Sequence, residues 1–65
     1  MELQELIDNI IGATKHESLI LLDSYNINYR VIREDETNNI VTMDLRSDRL
    51  NLEFDKNIVT KCYIG

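Results

Sequence analysis

The chain has 65 residues, 43% of them hydrophobic and 29% charged, with two glycines and no proline or tryptophan. A chain this short forms one domain, residues 1–65, and has no room for a deep catalytic cavity beside its core, which argues against an enzyme. Its formal net charge of -5 repels phosphates, and its seven lysines and arginines are scattered rather than gathered into a stripe, so nucleic acid is a poor partner.

The opening stretch MELQELIDNIIG carries acidic and polar residues where a leader carries basic ones, and its apolar residues are spaced. It therefore reads as neither signal peptide nor membrane span, and no membrane partner is expected. Leu3, Leu6, Ile7, Ile10 and Ile11 follow the spacing of a short amphipathic helix, which Gly12 is placed to end. Thr14 precedes Glu17 by three positions, the spacing of a capping box, and predicts a second helix from about Lys15 to about Ser24. This second helix is expected to be the main one, with its apolar block Leu19 to Leu22 lying in a groove of the core.

From Asn28 to Arg33, NYRVIR is aromatic and β-branched enough for a strand, and RLNLEF from Arg49 to Phe54 alternates with Leu50, Leu52 and Phe54 on one face. DKN at Asp55 to Asn57 is a turn signal, so IVTKCYI from Ile58 to Ile64 should pair with the preceding strand as a C-terminal hairpin. Between the first two strands, Glu34 to Asp48 shows neither helical nor strand period, and a loop of that length in a compact domain is usually functional. Met43 and Leu45 stand in it where they can hardly reach a core. The sum is a small single-domain α+β fold: one main helix on a short sheet, with a long exposed loop and a C-terminal hairpin.

Cys62 is the only cysteine and His16 the only histidine, so neither an internal disulfide nor a metal-ligand spacing is available, and no cofactor or metal is expected. Cys62 reads as a small buried hydrophobe, Tyr25, Tyr29 and Tyr63 as aromatics at the core margin, and Glu34 to Glu36 as loop solvation. A free thiol and the absence of a leader in this stretch lead to an expectation of cytoplasmic location, with secretion open if a leader has been removed.

The run IVTMDLRSDRLNLEFDKNIVTKCYIG resembles the C-terminal half of the potato inhibitor I family of serine-protease inhibitors, the family of the barley chymotrypsin inhibitors. There a Val-Thr-Met/Leu-acidic loop is followed by Arg-x-Asp-Arg, a strand beginning with Val or Leu, and a terminal Gly. DRLN, Asp48 to Asn51, is closer still to the related I78 peptidase inhibitors, and IIGATKHESLILL is similar in layout to the family's capped helix. The resemblance implies that the strands flanking the loop pair in parallel, making the sheet mixed, and that the loop lies across a protease active site as a substrate would. The side chain entering the primary pocket would be Met43, and the bond presented to the catalytic serine Met43-Asp44. Val41 and Thr42 would precede that bond in the binding stretch, and Leu45 and Arg46 would follow it.

Methionine is long, unbranched and polarizable, which suits the apolar pockets of chymotrypsin, elastase and subtilisin-like enzymes. In the family, arginines rising from the strand beneath brace the loop. Arg49 matches one of them and is expected to pair with Asp44, with Thr42 also a candidate partner. Asn51 stands where many plant members carry the second arginine and is expected to donate over a shorter reach. Without the resemblance, Met43 is as readily a side chain folded back onto the core, and Arg46 and Arg49 are more readily ordinary surface charges. A second function therefore stays open: an intracellular interaction or ligand-sequestering module on the same scaffold, with self-association allowed.

Overall fold

In the computed structural model, which describes residues 2–65, the N-terminal apolar spacing becomes helix α1 (Leu3–Ile10), with Leu6, Ile7 and Ile10 buried along one stripe. Ile11 caps it, and Gly12 follows at φ +91°, a left-handed conformation in which any other side chain would be strained. Gly12 N–H donates to Val59 O and Val59 N–H donates to Ala13 O, both at 2.9 Å, so the connection between the helices is stitched to the last strand. Helix α2 (Lys15–Ser24) starts as expected, with Thr14 Oγ1 accepting from Glu17 N–H at 3.1 Å.

The apolar block of α2 does not lie in a groove. Four consecutive residues sweep about 300° around a helix, so they cannot all face inward. Leu22 is fully buried, Leu19 and Leu21 pack partly against the core, and Ile20 is exposed. α1 sends three apolar side chains into the core and α2 one, with Leu19 and Leu21 packed beside it, so two helices cover the sheet where one main helix was expected.

The sheet has four strands, β1 (Asn28–Glu34), β2 (Thr37–Asn38), β3 (Arg49–Asp55) and β4 (Ile58–Ile64), in the order β2-β1-β3-β4. β1 and β3 are parallel, and β3 and β4 form the antiparallel hairpin. Leu50, Leu52 and Phe54 of β3 are fully buried and join Val59 and Cys62 of β4 with the helix residues in one core. Lys56 and Asn57 both take left-handed φ, 51° and 65°, the pattern of a two-residue type I′ turn whose twist matches that of the strands it joins. Burial pushes the Cys62 thiol up to about 11. Tyr29 packs at the core margin, whereas Tyr25 and Tyr63 are exposed.

β2 was not expected within the Glu34 to Asp48 loop. β1 runs to Glu34, Asp35 turns the chain at φ 54°, and Thr37 and Asn38 pair back onto Glu34 and Arg33. Two polar residues carry no hydrophobic period, which is why the sequence is silent there. Arg33 closes this end of the sheet, its Nε on Glu53 and its Nη2 on Asp55 at 2.7 Å each. Arg33, helped by the Thr60 hydroxyl, holds the Asp55 carboxyl down to about 2. Glu34 is not loop solvation either: it accepts from Lys15 Nζ at 2.8 Å. Among the described residues, no helix is long and apolar enough to cross a membrane.

Candidate functional site

Parallel pairing of β1 and β3 obliges the chain to travel back along the sheet, about 20 Å for a seven-residue strand. A helix usually covers such a return. Here residues 39–48 do so as an irregular stretch, and every one of them is exposed. Met43 is 93% and Leu45 89% exposed, so neither folds back onto the core, while Val41 is the most sheltered of the loop's apolar residues at 37%.

The face of the sheet beneath the loop follows from strand alternation. Leu50 and Leu52 point into the core, so Asn51 between them points to the opposite face, and its register partners Arg30 on β1 and Tyr63 on β4 point the same way. Asn51 is nonetheless only 2% exposed. A shallow cavity of about 240 Å³ lies here, lined by Arg30, Thr42, Asp44, Asn51 and Tyr63 among others.

Two arginines reach from this face to the loop. Arg49 donates from Nε to Gly65 O at 2.9 Å and from Nη2 to Asp44 O at 2.9 Å, and its Nη1 lies 3.4 Å from Asp44 Oδ2. It makes no bond to Thr42. That residue is held by Arg30, whose Nη1 donates to Thr42 O at 3.1 Å and to Thr42 Oγ1 at 3.4 Å. Asn51 does not donate to the loop as expected; its Oδ1 accepts from Arg30 Nε. The Thr42 hydroxyl in turn donates to Asp44 Oδ1, bridging over Met43. That hydroxyl bond, reinforced by the charge of Arg49, holds the Asp44 carboxyl below the usual carboxylate range.

Arg46 takes no part in this bracing. It pairs with Asp48 within the loop, through Nε and Nη2 at 3.1 Å each, and lowers the Asp48 carboxyl. Asn28 Nδ2 also donates to Asp48, at 3.3 Å, and so ties the loop's end to the start of β1. The backbone is thus bonded on both sides of Met43-Asp44 while the Met43 side chain stands free in solvent. Among the described residues, no group of three or more His, Cys, Asp or Glu side chains is placed to hold a metal ion.

Arg30 is the residue that sequence reasoning missed. Its signal was partial: of the apolar residues of NYRVIR, Tyr29, Val31 and Ile32, the alternating pair Tyr29 and Val31 packs against the core, so Arg30 between them belongs on the outer face, and a parallel partner strand sets it beside Asn51. Set against known proteins, the chain matches no protein-family profile and no curated sequence.

Proposed function

We propose that the chain inhibits a serine endopeptidase, laying Val41 to Arg46 in the active-site cleft as a substrate would lie, with Met43 in an apolar primary pocket. The observation that carries this reading is Met43 itself, an apolar side chain 93% exposed on a backbone tied down on either side. An exposed apolar side chain on a loose loop needs no explanation; one held out by charge-assisted hydrogen bonds at both neighbours does.

The chemistry follows from the bracing. The protease serine attacks the Met43 carbonyl carbon, the bond to the Asp44 nitrogen breaks, and the protease histidine delivers a proton to the departing amine. In a flexible substrate that amine diffuses away and water completes hydrolysis. Here Asp44 stays bonded to Arg49 through its carbonyl and carboxylate, so the amine remains beside the acyl group and the reverse reaction outruns water. A loop already fixed in its bound shape also loses little entropy on docking. The scaffold is read as that of the potato inhibitor I family, and the target as an enzyme of chymotrypsin, elastase or subtilisin-like specificity, because an unbranched thioether fills an apolar pocket and offers nothing to one that wants a cation.

Mass spectrometry after long incubation with subtilisin tests the assignment of the reactive bond. The expected result is one slow cut, between Met43 and Asp44; a first cut elsewhere would remove Met43 from its role. The reading of the loop as a plain interaction surface draws on Ile40, Met43 and Leu45, all apolar and exposed, with Tyr63 and Ile64 lining one shallow cavity with Met43 and Leu45. Stable capture of a partner with no effect on any peptidase would favour it.

A further inference from the structure

We infer that Arg30, aimed by Asn51, is the second positioning residue of the loop, and that the two arginines divide the reactive bond between them. The inference rests on the inhibitor reading above. A cut at Met43-Asp44 would leave two fragments, residues 1–43 and 44–65. Arg30 and Thr42 both belong to the first, and Arg49 and Asp44 both belong to the second. Each half of the loop is therefore tied to a strand of its own fragment, and β1 and β3 remain paired through the backbone. Only side-chain bonds tie the two halves of the bracing to each other: Arg30 to Asn51, and Thr42 to Asp44 across the cut itself.

Asn51 acts here as an acceptor. Its side chain makes no bond to the loop, but it is buried, and its Oδ1 accepts from Arg30, its register partner on the neighbouring strand. A guanidinium held at Nε by a buried acceptor has its plane set, which points Nη1 at the Thr42 carbonyl and hydroxyl. The bond to the loop that Asn51 does not make is supplied by an arginine one strand away. The cut breaks the Met43 carbonyl to Asp44 nitrogen bond with addition of one water, and resealing expels that water. Both directions pass through the acyl-enzyme, so they depend on the Met43 carbonyl and the Asp44 amine staying in register, and the Arg30–Asn51 bond serves that register.

The rate of Met43-Asp44 cleavage by subtilisin is to be measured for the wild type, Arg30→Ala, Asn51→Ala, the double variant and Asn51→Asp, with melting temperatures alongside. Arg30→Ala and Asn51→Ala should each be cut about 10- to 100-fold faster. The double variant should be no faster than Arg30→Ala, because Asn51 works through Arg30. Asn51→Asp should stay close to wild type, since a carboxylate still accepts from Nε although it cannot donate. Asn51→Asp cut as fast as Asn51→Ala would show that the amide donates to the loop directly, and Arg30→Ala cut as slowly as wild type would show that Arg30 is a bystander; either result overturns the inference.

Should Arg30→Ala fail to fold, Arg30→Lys keeps the stem and charge but cannot bond Asn51 and Thr42 with one planar group, so it too should be cut faster, and wild-type resistance in it would count against the inference. Backbone order parameters of Thr42 to Asp44 in the free protein separate this inference from the inhibitor reading. They should fall in Arg30→Ala and Asn51→Ala but not in Asn51→Asp, whether or not any protease is inhibited. If the wild type inhibits nothing, the functional proposal falls while this pattern still decides the role of Arg30.

Discussion

Arg49 meets Asp44 twice, at the backbone carbonyl and at the carboxylate, from a side chain only 13% exposed. The same guanidinium group also donates to Gly65 O, so the segment that begins at Asp44 is fastened to Gly65 as well as to β3. Arg49→Ala should leave the core of Leu50, Leu52 and Phe54 intact and free the Asp44 side of the loop. The variant should still dock but be cleaved at Met43-Asp44 about tenfold faster or more. Cleavage time courses measure this directly, and equal rates in variant and wild type would make Arg49 an ordinary surface charge. Because the Asp44 side chain is half exposed, high salt should reproduce part of the effect in the wild type.

The identity of the pocket residue is open to a separate test. Met43→Lys replaces an apolar side chain with a cation, and trypsin's pocket carries a carboxylate. Relative affinity for trypsin over chymotrypsin should rise by at least about 30-fold, the scale of a single dominant contact. Inhibition constants against the two enzymes read out the ratio, and an unchanged ratio would exclude Met43 as the side chain in the pocket.

Leu45 is 89% exposed and lies in the proposed binding stretch rather than in the core. Leu45→Asp should weaken protease binding about tenfold while shifting unfolding free energy by no more than about 0.5 kcal/mol. Denaturant titration beside inhibition assays separates the two quantities. A large loss of stability would mean that Leu45 packs somewhere in solution.

The folded chain holds the Asp44 carboxyl below its ordinary value of 3.8, first through the Thr42 hydroxyl and then through the charge of Arg49. A carboxyl lowered by folding contributes stability that is fully present above its unfolded value and is lost as pH falls through its lower folded one. The loop should therefore keep its order from neutral pH down to about 4 and loosen only below that. Carbon chemical shifts of Thr42 and Asp44 would follow the transition. Asp44→Asn should remove the share of the pH dependence that Asp44 carries, leaving that of Asp48, which Arg46 also lowers; loosening of the wild-type loop already between pH 5 and 7 would contradict the assigned cause.

Much of this architecture was legible because the core is built from period. The spacing of Leu6, Ile7 and Ile10, the cap at Thr14 and the alternation of Leu50, Leu52 and Phe54 each have a single local cause, and the structure follows them to within a residue or so. The parallel pairing of β1 with β3 has no local cause, and it came only from likeness to a family. The apolar block of α2 misled, since four adjacent leucines and isoleucines signal burial without saying which of them must face water. β2 was invisible because its two polar residues pair only once Asp35 has turned the chain.

At the site, Met43 and Leu45 stood out as apolar residues in a polar loop, and Arg49 stood close in sequence to its partner Asp44. Arg30 lies 12 positions from Thr42 and 21 from Asn51, so its neighbourhood hinted at the face it occupies but not at its partners. Its role depends on strand register, a tertiary quantity, and the same register turned Asn51 from the expected donor into an acceptor.

Titrating a fixed amount of active subtilisin or chymotrypsin with the wild-type chain, and following residual peptidase activity, tests the central proposal most directly. A braced substrate-like loop with Met43 at its tip should lower activity in proportion to added protein, reaching near zero at about one equivalent for a tight complex. Full activity in the presence of excess chain, with the chain itself rapidly digested, would contradict the proposal.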